Sequence, residues 1–167
     1  MKKMMVIMLT MVLAMVVSAC SNDNASTTDD KTTTIEASHS AKEMTEQMVT
    51  EVEQPALMEL TEKDLLNLYG LDATKLEDFS VRIPMMNVKT NEIAIFKVKD
   101  AKDVAEVEAA VKQRAENVAK QFEHYLPDQY ENAKNHKIVT KGNYVLFVIS
   151  DQADKLITVY DRFFTEK

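Results

Sequence analysis

From position 41 onward the apolar residues follow two periods, and the change of period predicts the order of elements. Ala41, Met44, Met48 and Val52 are spaced by three and four as far as Pro55, which predicts a short amphipathic helix opened by the capping box Ser40-Ala41-Lys42-Glu43. A second short helix is predicted over Thr61 to Tyr69, with Leu65, Leu66 and Leu68 apolar and Gly70 as a left-handed C-cap. The period then falls to two. Phe79, Val81 and Ile83 alternate with Ser80 and Arg82 up to Pro84, and Ile93 to Val98 forms a second strand, apolar on both faces for most of its length. The longest helical stripe follows, Val104, Val107, Val111, Ala115, Val118, Phe122 and Tyr125, with Pro127 marking its end. After a polar connection, His136 to Thr140 reads as a short strand, Gly142-Asn143 as a tight turn and Tyr144 to Ile149 as a strongly apolar strand. Leu156, Val159, Tyr160 and Phe163 complete the pattern as a C-terminal helix.

These elements predict an α+β domain over residues 41–167, with a four-stranded antiparallel sheet and helices packed on it. The second and fourth strands are the most apolar and belong in the centre. The Pro84-containing first strand and the short third strand belong outside, giving the order 1-2-4-3. Val88, Phe96, Asp100 and Asp103 fall opposite Val139, Phe147, Asp151 and Asp154 at a constant offset, which suggests two successive strand-strand-helix units, with the N-terminal helices added to them. Ile93 and Ile95 face one side of the sheet and Ala94, Phe96 and Val98 the other, and the fourth strand divides in the same way, so both faces must be covered. The long and C-terminal helices are expected on one face. The narrow Met44, Met48, Val52 stripe is expected on the other, where incomplete cover would leave an apolar groove.

Upstream of this pattern the chain changes character. Lys2 and Lys3 precede an uncharged run from Met4 to Val17, and Val17-Ser18-Ala19-Cys20 is followed at once by Ser21-Asn22-Asp23-Asn24. A basic start, a run too short to span a bilayer and small residues at its end predict a signal peptide over residues 1–19. Val17-Ser18-Ala19-Cys20 resembles the bacterial lipobox, which implies cleavage before Cys20 and a diacylglycerol on its sulfur. Cys20 is the chain's one cysteine, so no internal disulfide is available and stability must come from the core. Residues 20–40, rich in Ser, Thr, Asn, Asp and Lys, read as a flexible tether spanning about 25 Å.

Charge and composition then exclude several functions. A net charge of -7 argues against nucleic-acid binding, and losing Lys2 and Lys3 with the leader makes the balance more acidic still. An anionic bilayer repels such a body, so the lipid on Cys20 is the expected membrane partner. Two glycines cannot build a phosphate-cradling loop. His39, His124 and His136 lie far apart in sequence with no paired ligand at metal spacing, so no metal or cofactor is expected. Ser150-Asp151 ends a central strand but lacks the surroundings of a nucleophile, and reads as a helix cap. Asp128 and Glu131 near Tyr125 and Tyr130 have the composition of a sugar site, yet read as a solvated loop. No catalytic residue is assigned.

The lipobox, Leu68-Tyr69-Gly70, the run Glu92 to Asp100 leading into a long helix, Tyr125-Leu126-Pro127, and Gly142-Asn143-Tyr144-Val145 resemble a family of small lipoproteins of Gram-positive bacteria, catalogued as a domain of unknown function. The resemblance implies an extracytoplasmic lipoprotein of the cell membrane and supplies no site residue beyond Cys20. The function expected is a binding or accessory module at the cell surface, serving an unknown protein or small molecule. A soluble-ligand receptor or sensor is the alternative, and a surface hydrolase the third reading.

Overall fold

The computed structural model describes residues 35–165; the leader, Cys20 and most of the expected tether lie outside the described residues. The described elements are α1 (Ala41–Glu51), β1 (Leu57–Glu59), α2 (Glu62–Tyr69), β2 (Leu76–Pro84), β3 (Glu92–Val98), α3 (Val104–Phe122), α4 (Pro127–Lys134), β4 (Lys137–Lys141), β5 (Tyr144–Ile149) and α5 (Ala153–Arg162). The fold is α+β, and its sheet is antiparallel throughout, in the order β1-β2-β3-β5-β4.

The sheet corrects the predicted count, since the described residues form five strands rather than four. The four strands read from the sequence do lie side by side as expected, but β1 adds to the outside of β2, so the Pro84 strand is not the edge. Leu57 stands opposite Pro84, while Met85 N donates to Ala56 O (3.0 Å) and Leu60 N to Val81 O (2.9 Å). Pairs alternate between bonded and non-bonded along an antiparallel ladder, and Pro84 sits at a non-bonded pair, where its missing N–H costs β1 nothing.

Both faces of the sheet are covered, with α1 opposite α3 as expected, but α5 does not join α3. Val81, Ala94, Phe96, Val98, Val145 and Phe147 pack against Leu65 and Tyr69 of α2 and the Val107, Val111, Ala115, Val118, Phe122 stripe of α3. Ile93, Ile95, Leu146 and Val148 pack against Met44 and Met48 of α1 and Leu156, Val159 and Tyr160 of α5. The long and C-terminal helices therefore take opposite faces. Met44 and Met48 are fully buried, so the methionine stripe is core. Two further expectations change at Pro127. It opens α4 at the first helical position, where its fixed φ suits a helix start, and α3 has ended at Phe122, leaving Tyr125 exposed.

Turn and cap chemistry follow the sequence closely. Ser40 and Glu43, and Thr61 and Asp64, each form a complete capping box. Gly70 closes α2 at φ 67°, and Gly142 holds φ 55° at the first central position of the two-residue β4–β5 turn, as a type II′ hairpin requires.

The end of the expected tether is packed against the domain. Ser38 N donates to Phe163 O (2.8 Å), and Glu36 accepts from Lys97 Nζ (2.8 Å) and from the Tyr144 hydroxyl (3.0 Å). These contacts place the start of the described chain at the end of the sheet where β3 finishes and β5 begins.

Candidate functional site

The opposite end of the sheet, where β3 begins and β5 finishes, concentrates the buried polar residues. Thr90, Asn91, Glu92 and Ser150 are each at most 7% exposed, and three of them are consecutive. A buried polar side chain must be satisfied by partners, so such a run draws groups from several elements to one place.

Glu92 is the deepest of them. Its carboxylate accepts Arg114 Nε (3.0 and 3.2 Å) and Nη2 (2.8 Å) from α3, and the hydroxyl of Tyr69 from α2. The Arg114 guanidinium also lies 5.8 Å from the centre of the Tyr69 ring. Burial, reinforced by the Glu92 carboxylate, pushes the Tyr69 phenol well above its usual range, so it stays a donor. Burial opposes the charge on Arg114, but the carboxylate outweighs it and holds the guanidinium more firmly protonated than usual. Glu92 shares the strand face of Ala94 and Phe96, and Arg114 lies three residues after Val111 and four before Val118, on the α3 stripe. Two charges at positions the apolar period reserves for core residues were the available signal, and the sequence reading missed it.

Beside this pair lies a polar cleft assembled from the α1–β1 connection, the start of β3, α4 and the β5–α5 turn. Its two adjoining lobes, of about 350 and 460 Å³, share Asp128, Asn132 and Asp151. The amides are fixed to one another and to the strands. Thr90 N donates to Gln129 Oε1 (3.0 Å), Asn132 Nδ2 to Thr90 Oγ1 (3.0 Å), and Asn91 Nδ2 and Ser150 Oγ both to Gln54 Oε1 (3.1 Å each). Glu53, Asp128, Asp151 and Asp154 bring more charge to the lining than Lys89 and Lys137 offset. Such a surface offers paired acceptors and donors to hydroxyls, amides or an ammonium group, and repels anions.

The residues singled out from sequence distribute unevenly over this end. Ser150, Asp151 and Asp128, read separately as a cap and a loop, line one cleft. Ser150 serves the turn into α5, accepting from Gln152 N (3.1 Å), but among the described residues no side chain caps that helix. Glu131 instead pairs with Lys134 (3.2 Å), Tyr130 packs against the core, and Tyr125 lies at a different cleft, so the carboxylate-aromatic grouping does not assemble. The histidines are scattered: His39 against Phe163, His124 exposed beside Glu123, and His136 against Ala133 O. Among the described residues no three His, Cys, Asp or Glu side chains come together as a metal site, and no helix is long and apolar enough to cross a membrane. Cys20 lies outside the described residues. Gln54, Thr90, Asn91, Gln129 and Asn132 were not anticipated, because isolated amides and hydroxyls carry no periodic signal.

No curated protein and no solved structure matches the chain. A family model described as Domain of unknown function (DUF4358) matches residues 50–150, which takes in all five strands, Glu92, Arg114 and most of the polar cleft. That match spans more than half of the sequence, and the chain belongs to this family of unknown function.

Proposed function

We propose that this protein is a lipid-anchored, extracytoplasmic binding module of the cell membrane, held through Cys20, whose polar cleft takes a small neutral or cationic ligand rich in hydroxyl and amide groups. The observation that carries the reading is the separation of the two ends of the sheet. The N-terminal segment meets the domain at Glu36, Lys97 and Tyr144, and the cleft is lined by Asn91, Asn132 and Ser150, roughly 20 Å away at about 3.3 Å per strand residue. Attachment through Cys20 would reach the described domain at Glu36, the end of the sheet remote from the cleft. Fixed amides in an acidic lining support recognition of a polar ligand over an accessory role through a flat surface, and so favour the ligand-receptor form of the binding module.

The test is calorimetric titration of the full chain with N,N′-diacetylchitobiose, a neutral probe carrying hydroxyls and amides. Binding that weakens about tenfold in Asn132→Ala is the expected result. Equal affinity in both proteins, or no binding by either, contradicts the reading.

A further inference from the structure

We infer that a second cleft, between the β2–β3 loop and α3, binds a carboxylate carried on an apolar body. This cleft, of about 320 Å³, has an apolar wall formed by Ile83, Pro84, Val118 and Phe122, with Met86 and Tyr125 at its mouth. Val118 and Phe122 are buried, whereas Met86 and Tyr125 are 62% and 55% exposed. Phe122 and Tyr125 stack at 5.3 Å, and Tyr125 donates to Asn87 O (3.2 Å), which ties the mouth to the loop. Met85 and Val88 of the same loop are also exposed, so the apolar surface continues outside. A cleft walled by core residues, with methionine at its entrance, suits an apolar group of variable shape.

The polar side of the same cleft selects the charge. Arg114 and Glu92 both line it, and their charges cancel in the bidentate pair. That pair uses Nε and Nη2 of the guanidinium, and Nη1 makes no hydrogen bond among the described residues. Lys89, also on the lining, is exposed and makes no ion pair among them. The surplus is thus one positive charge plus free guanidinium donors, on a chain that is otherwise acidic. One surplus charge matches a monoanion such as a carboxylate better than a doubly charged phosphate. The two clefts adjoin at Lys89, which lines both, but the remaining charges differ: the polar cleft adds Glu53, Asp128, Asp151 and Asp154, and this one only the self-neutralising Arg114–Glu92 pair.

The chemistry has two sources, a free acid or the C-terminus of a peptide. The full chain is titrated with hexanoate and N-acetyl-leucylleucine, each against its neutral amide. The expected result is that at least one acid binds about tenfold more tightly than its amide. The acid that does so identifies the source. Lys89→Gln reduces that preference for the acid, and Met86→Asp abolishes binding; both positions are exposed, so the fold survives. Asn135→Ala, on the lining of the polar cleft alone, leaves acid binding unchanged, which separates this site from the proposed ligand site. Equal affinity for acid and amide, no binding of either acid at millimolar concentration, or indifference to both Met86→Asp and Lys89→Gln overturns the proposal.

Discussion

Arg114 holds Glu92 through two nitrogens at the start of β3, and the pair is almost entirely withdrawn from water, with side chains 11% and 1% exposed. Removing one member strands the other's charge in the core. Arg114→Met should destabilise the domain by about 3–5 kcal/mol in urea denaturation. Replacing the whole group, as Tyr69→Phe, Glu92→Leu and Arg114→Met together, should recover most of that loss, because apolar packing then substitutes for a satisfied network. A triple variant as unstable as Arg114→Met alone would show that the pair is worth more than its desolvation costs.

The helix α1 is core. Met48 is fully buried between the sheet and α5, so Met48→Ala should cost about 2–5 kcal/mol, and deleting residues 41–54 should unfold the domain outright. A deletion variant that stays folded and binds a hydrophobic dye would instead show that α1 covers a separable surface.

Alkaline pH should destabilise the fold through two tyrosines. Burial raises the Tyr69 and Tyr160 hydroxyls above the ordinary tyrosine value of 10.0. Above that value the unfolded chain has released protons that the folded chain still binds, so their stabilising contribution is complete below pH 10 and is lost as pH rises beyond it. Phenolate absorbance from these two should appear only together with the loss of far-ultraviolet circular dichroism. Among the described residues the Tyr160 hydroxyl has no hydrogen-bond partner, so Tyr160→Phe should be neutral or stabilising at pH 7 and should flatten the alkaline slope.

The anchor is tested at the N-terminus. Intact-mass measurement of membrane-extracted protein should find a mature chain that begins at a diacylglycerol-modified Cys20, and Cys20→Ala should be unprocessed or released from the membrane. Normal processing and membrane retention of Cys20→Ala would remove the anchor from the account.

The period of the apolar residues made much of this fold legible, and the misses have physical causes. The alternation of Ile93, Ile95 against Ala94, Phe96, Val98 gives the two faces of β3 correctly, because a strand's side chains have no other choice. A helical stripe, by contrast, records which residues are buried and not against what, so it does not reveal that α3 and α5 occupy opposite faces. Three residues, Leu57 to Glu59, are too few to show a period, and α4 buries only Ala133, so neither element left a pattern to read. The polar end was the least legible part. Gln54, Asn91, Asn132 and Ser150 lie far apart in sequence, and what unites them is the meeting of α1, β3, α4 and β5, a tertiary fact with no local trace.

The central claim is that ligand binds at the end of the sheet remote from the tether. The most direct measurement is an amide chemical-shift map of the full chain during titration with N,N′-diacetylchitobiose. Shifts confined to Thr90, Asn91, Gln129, Asn132 and the Ser150–Gln152 turn, with Lys97 and Tyr144 unmoved, are the predicted result. Shifts centred on Glu36, Lys97 and Tyr144, or none anywhere, would contradict it.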